Sequence, residues 1–237
     1  MPKPLLIIKH IAHEGPGLLE ELLEKHSIQS VVIDLSKKEP YPDPRGFSAV
    51  ITLGGPQSAN DRTPEMLAEL DRIGLLLHEN IPYLGICLGM QTLVKAAGGK
   101  VTTCLTRETG FFSPDGTPFT VDLTTEGLED PLFRGLENSL RVFHLHGETV
   151  TLLDGISLLA TGTLCRNQVV KVSGRAYGIQ SHFELTPEML LSWLKLDREL
   201  QTLDQEQILD DYREIQADYV RTGTALFSNF LQVAEII

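Results

Sequence analysis

Positive charge is scarce in this chain. Its 237 residues carry 20 Lys and Arg against 32 Asp and Glu, a formal net charge of −12. Such a balance repels phosphate backbones and anionic lipid surfaces, so neither nucleic acid nor membrane is an expected partner. Long apolar runs are absent too, and none approaches the roughly 20 residues of a membrane span. The run Leu5-Leu6-Ile7-Ile8 near the start is too short for a secretory signal and has no cleavage site behind it. Cysteine is limited to Cys87, Cys104 and Cys165. An odd number at wide spacing excludes a disulfide framework and points to a reducing, cytoplasmic setting. No Gly/Ser- or Pro-rich linker and no internal repeat divides the chain. One domain over residues 1–237 is expected, with a core over about 5–195 and a helical extension over about 196–237.

With 42% hydrophobic and 22% charged residues, a sizeable core is available. Short β-branched runs at Leu5–Ile8, Val31–Leu35, Ala49–Leu53 and Tyr83–Ile86 lack polar alternation, which suits strands buried on both faces of a parallel sheet. Helical spacing lies between them. Leu18, Leu19, Leu22 and Leu23 define one helix. Thr63 as N-cap and Pro64 at the first position open another to Glu79. This alternation predicts an open α/β sheet with helices on both faces. From 101 to 181 the pattern shortens to strands at Phe119–Leu123, Leu140–Phe143, Ser157–Ala160, Gln168–Val172 and Ala176–Gln180, with a hairpin turn at Ser173-Gly174-Arg175. They read as an antiparallel extension plus the last sheet strands. Helices follow from Thr186, one with Met189, Leu190, Trp193 and Leu194 on its apolar face. The next carries Ile208, Tyr212, Ile215 and Tyr219 opposite acidic Asp210, Asp211, Glu214 and Asp218.

The most informative segment is Tyr83-Leu84-Gly85-Ile86-Cys87-Leu88-Gly89-Met90-Gln91. A buried strand ends at Ile86 and a helix begins at Leu88, so Cys87 sits in the sharp turn between them with a glycine two residues to either side. This is the strand–turn–helix elbow that projects a nucleophile, with cysteine in the place of serine. The helix N-terminus favours a thiolate through its dipole and free N–H groups. The Leu88 N–H is placed to hold an oxyanion. A lone cysteine is commonly a small buried hydrophobe, and Cys104 and Cys165, without such a context, are expected to be plain packing or surface positions.

A thiol nucleophile needs an imidazole, and the imidazole a partner that fixes its tautomer. In an extended segment His182 and Glu184 point the same way, although a His and a Glu at a strand end also fit no chemistry at all. His144 and His146 have the spacing of two metal ligands on one strand face. No nearby acidic or cysteine partner completes a set, so no metal and no cofactor is expected.

The elbow Gly85-Ile86-Cys87-Leu88-Gly89-Met90-Gln91 resembles the G-I-C-x-G-x-Q signature of class I glutamine amidotransferases, and Gln180-Ser181-His182-Phe183-Glu184 resembles their Q-x-H-P-E segment. Leu53-Gly54-Gly55-Pro56, Gly98-Gly99-Lys100-Val101 and His146-Gly147-Glu148 are similar to three further stretches of the family, in family order. The likeness is strongest to members related to the glutaminase half of GMP synthase. Phe183 stands where the family usually has proline. The resemblance implies a flavodoxin-like α/β fold with Cys87 as nucleophile, His182 as general base and acid, and Glu184 as its orienter. It also implies an oxyanion hole from Gly55 and Leu88, and substrate contacts from Gly54, Gln91, Leu145 and His146. The implied substrate is glutamine, or alternatively another γ-glutamyl compound as in a γ-glutamyl peptidase. No G-x-x-x-x-G-K-[ST] loop or nucleotide module follows Glu184, so the chain is expected either to supply ammonia to an acceptor on a separate subunit or to act alone on a γ-glutamyl compound.

Overall fold

The computed structural model describes residues 3–237; Met1 and Pro2, the first residues of the segment read for a secretory signal, lie outside the described residues. The chain opens with strand β1 (Leu5–Lys9), helix α1 (Leu18–Lys25), β2 (Ser30–Asp34), β3 (Val50–Thr52), α2 (Pro64–His78), β4 (Tyr83–Ile86) and α3 (Leu88–Ala96). The middle holds β5 (Lys100–Gly110), β6 (Thr120–Leu123), α4 (Thr125–Glu129), β7 (Ser139–Arg141), β8 (His144–Thr151) and β9 (Ser157–Thr161). It closes with β10 (Val169–Ser173), β11 (Ala176–Ile179), α5 (Pro187–Leu196) and α6 (Gln205–Val233).

Among the described residues nine strands form one sheet in the order β2-β1-β3-β4-β11-β10-β9-β6-β7. The neighbours from β2 to β11 pair in parallel, and β10, β9, β6 and β7 add an antiparallel extension. The expected α/β class with an antiparallel extension and C-terminal helices is thus what the chain folds into. Period-two alternation distributes the β1 side chains between two cores. Leu5 and Ile7 pack with α1 and the end of α6, while Leu6 and Ile8 pack with α2 and α3. The turn at Gly174-Arg175 joins β10 to β11, with Gly174 at φ 38°.

Two features depart from the expectations. The run Val31–Leu35 does not form a strand buried on both faces: β2 is the sheet edge, and Val31 and Val32 are 38% and 45% exposed. A second, two-stranded sheet of β5 and β8 stands beside the main one. It was not expected, because β5 (KVTTCLTRETG) is polar and exposed along most of its length. The last helix runs to Val233 and buries Leu226, Phe227, Phe230 and Leu231. No helix among the described residues is long and apolar enough to cross a membrane.

Candidate active site

The elbow is shaped by steric necessity. Cys87 has φ 52° and ψ −105°, a left-handed conformation that L residues adopt only under constraint. A Cβ on Gly85 would meet the Gly89 carbonyl oxygen at 2.2 Å, and one on Gly89 would meet the Thr52 carbonyl oxygen at the same distance. Both glycines are therefore obligatory for strand and helix to approach this closely. The Cys87 N–H anchors the turn on β11 by donating to the Ile179 carbonyl at 2.7 Å. Leu88 opens α3, so its N–H has no acceptor within the helix.

β11 ends beside β4, and the chain beyond it carries His182 to the elbow. The His182 Nδ1 donates to Glu184 Oε1 at 2.6 Å, with both side chains buried. Its backbone N–H donates to the Phe143 carbonyl at 2.9 Å, and its carbonyl accepts from the Tyr219 hydroxyl at 2.7 Å. Trp193 of α5 lies edge-on to the ring at 5.0 Å. The C-terminal helices thus serve as the scaffold behind the imidazole. Burial alone would lower the His182 pKa, but the Glu184 carboxylate and the Cys87 sulfur within hydrogen-bonding reach hold it well above the ordinary 6.5.

The elbow and His182 open onto a cleft of about 770 Å³ that Gly55, Gln91, Leu145 and His146 also line. The Leu145 carbonyl lies 3.9 Å from Cys87 Sγ. The Gln91 amide donates to the Glu148 carbonyl at 3.1 Å and to Gln180 Oε1 at 3.3 Å. Gln180 in turn donates to Cys87 Sγ at 3.7 Å, a contact that only the glutamine of the Q-x-H-P-E-like segment hinted at. Glu184 stands behind His182, away from the opening. Gly54 packs under Cys87 and His182: a Cβ there would lie 2.5 Å from Glu14 Oε2, 3.2 Å from His182 Cε1 and 3.5 Å from the Cys87 Cβ.

Three residues escaped the sequence reading. His10, buried after β1, bonds the Gly54 carbonyl through Nδ1 at 3.1 Å and Glu69 Oε2 through Nε2 at 2.9 Å. Both ring nitrogens thus face oxygens that can accept, a carbonyl and a carboxylate; against the effect of burial, Glu69 raises the pKa of the ring above 6.5. Because C=O and N–H of a trans peptide point opposite ways, this bond turns the Gly55 N–H away from His10. Glu14 lines the cleft with an unpartnered Oε2, and burial pushes its carboxyl up to about 7 against the pull of His182. Only distance in the chain hid these residues.

The histidine pair on β8 also needs correction. The fold supplies the acidic and cysteine neighbours that the local sequence lacks. Glu108 sits opposite His146 in the β5–β8 register, its Oε2 2.8 Å from His146 Nε2 and 3.8 Å from His144 Nε2. Cys104 Sγ lies 3.7 Å from His146 Nδ1. Cys165 is buried beside them.

The chain is 34% identical over 145 residues to the glutamine-hydrolysing GMP synthase of Porphyromonas gingivalis, a match that covers 60% of the chain and 26% of that protein. It is 32% identical over 152 residues to the glutamine amidotransferase-like protein YfeJ of Salmonella typhimurium, covering 62% of the chain and 61% of YfeJ. The chain therefore spans about a quarter of the GMP synthases it matches. Its fold overlays a glutamine amidotransferase from Thermotoga maritima with a TM-score of 0.85 at 27% identity, covering 98% of both chains. A glutamine amidotransferase from Methylobacillus flagellatus gives the same TM-score at 26% identity, over 98% of this chain and 96% of the other. The family model for glutamine amidotransferase class-I matches residues 18–192, from the first helix through the elbow to the helix behind His182. The chain belongs to that family of enzymes.

Proposed function

We propose that the chain cleaves the γ-amide of glutamine through a thioester on Cys87, with His182 moving the proton and Glu184 holding the imidazole. The observation that carries this reading is the convergence of a left-handed, glycine-flanked Cys87 and the Glu184-anchored His182 on one cleft. The thiolate attacks the γ-carbonyl carbon. The C–S bond forms as the C–N bond breaks, and protonated His182 gives its proton to the departing ammonia. Neutral His182 then takes a proton from water, which hydrolyses the thioester to glutamate and frees the thiolate. The Gly55 and Leu88 N–H groups are the expected oxyanion donors. Gln91 and the backbone at Leu145–His146 are the expected glutamine contacts. In this reading the ammonia passes to a separate subunit.

A second reading is favoured by two observations. The Gly54–Gly55 peptide is already pinned by His10, so no partner is needed to orient it. The cleft of about 770 Å³ is also of a size that holds a ligand well beyond free glutamine. Both fit a self-sufficient hydrolase of a larger γ-glutamyl compound. The test is a panel of glutamine and γ-glutamyl peptides on the purified chain alone, read by release of glutamate and of the leaving amine. Turnover of a γ-glutamyl peptide well above that of glutamine selects the second reading. Glutamine turnover that rises on adding an ammonia-accepting subunit selects the first. No cleavage of any member, with or without such a subunit, contradicts both.

A further inference from the structure

Around His146, which lines the cleft, lies a side-chain cluster that the thioester chemistry does not use. Cys104 from the irregular stretch of β5, His146 from β8 and Cys165 from the loop between β9 and β10 meet there. Both sulfurs and a ring nitrogen lie within 4.8 Å of one another. Two thiols and an imidazole are the donor set that zinc selects. Ordinary Zn–S and Zn–N bonds in a tetrahedron set donor–donor edges of about 3.6–3.8 Å. The edge from Cys104 Sγ to His146 Nδ1 is already 3.7 Å. We propose that Cys104, Cys165 and His146 bind a divalent zinc-type ion, with water in the fourth position, as a structural site that clamps β5, β8 and the β9–β10 loop together.

The surroundings are built for such an ion. The far nitrogen of His146 lies 2.8 Å from Oε2 of buried Glu108 without a hydrogen bond between them; a small turn of the ring would engage the carboxylate as the partner that orients a metal-bound imidazole. Glu108 is itself held by the Cys165 N–H at 3.2 Å and the Gln168 amide at 3.0 Å. Without the ion, Nδ1 donates to the Glu148 carbonyl at 3.1 Å; binding replaces that bond by the metal and leaves the ring proton on Nε2, toward Glu108. Coordination as thiolates releases the protons of both thiols to solvent. Cys104 is only half-buried, which gives the ion its path and the water its place.

The full chain, stripped with a chelator and kept in a phosphine reductant, is titrated with Co²⁺. The expected result is one equivalent bound, with the intense visible bands of tetrahedral cobalt and a thiolate charge-transfer band, displaced by Zn²⁺. Cys104→Ser and Cys165→Ser each abolish the charge-transfer signature, whereas Cys87→Ser keeps it. A second readout needs no variant: Zn²⁺ should slow alkylation of Cys104 and Cys165 in the wild type, followed by peptide mass, and leave the rate at Cys87 unchanged. Absence of stoichiometric cobalt binding, a spectrum that survives in either serine variant or disappears in Cys87→Ser, or unprotected thiols would each overturn the proposal. The site is independent of the chemistry proposed at Cys87, so either can fail alone.

Discussion

Phe183 donates its backbone N–H to Glu184 Oε2 at 3.0 Å, a bond that proline, the family's usual residue at this position, cannot make. The family stiffens the backbone between base and orienter with a ring. Here the same segment is fixed by this hydrogen bond and by the Phe183 side chain, which is 1% exposed in the main core. The two contributions separate by mutation. Phe183→Ala keeps the N–H and should lower stability by about 3 kcal/mol or more while sparing kcat. Phe183→Pro removes the N–H as well, and should also lower kcat/KM by about tenfold, the scale of one hydrogen bond to a charged group. Denaturant melts and kinetics on both variants check this; unchanged kcat/KM in Phe183→Pro would show that the bond is idle.

The Gly54–Gly55 peptide should depend on its pin. His10→Ala frees the Gly54 carbonyl, and two adjacent glycines let the peptide flip at little steric cost. The expected loss in kcat is up to about 10²-fold, the scale of one oxyanion donor. Added imidazole should restore part of it, and the alkylation rate of Cys87 by a small electrophile should stay the same. A variant with wild-type kcat would mean that the His10–Gly54 bond does not set the loop.

Glu184→Gln should cost less than His182→Ala, by roughly two orders of magnitude in kcat, because the carboxylate orients the imidazole whereas the imidazole transfers the proton. Steady-state kinetics on the two variants decide it. Equal losses would make Glu184 more than an orienter, and no loss in either would leave the pair a buried strand-end contact.

Glu14 makes a pH-dependent contribution whose sign is fixed. Its folded pKa, about 7, lies above the ordinary 4.5, so the folded protein binds a proton that the unfolded chain releases. The stability it supplies is complete below 4.5 and is lost as pH rises through 7. Glutamine mimics the neutral acid at every pH. The stability of Glu14→Gln relative to wild type should therefore grow between pH 4.5 and 7 and then level off, as measured by denaturant midpoints. A flat difference across that range would place Glu14 in its ordinary ionised state.

What the sequence disclosed was local. The elbow is readable because Gly85, Cys87 and Gly89 lie within five residues of a strand–helix junction, and His182 and Glu184 because they share a strand face. Contacts between distant segments were hidden. Nothing near His10 marks Glu69 as its partner, and nothing near His146 marks Glu108, Cys104 or Cys165. β5 escaped because its partner β8 covers one side of a polar strand that has no alternating pattern. In helix α6 Thr222-Gly223-Thr224 interrupts the apolar face. Gly223 is where the helix crosses the Phe183 backbone, and a Cβ there would lie 2.2 Å from the Phe183 carbonyl oxygen.

The thioester on Cys87 is the central claim, and trapping it tests that claim most directly. The protein is mixed with its best γ-glutamyl substrate, quenched in acid during turnover and mapped by peptide mass. A γ-glutamyl increment on the peptide that contains Cys87, absent from Cys87→Ser together with all turnover, is the expected result. An increment on Cys104 or Cys165, or cleavage that persists in Cys87→Ser, would contradict it.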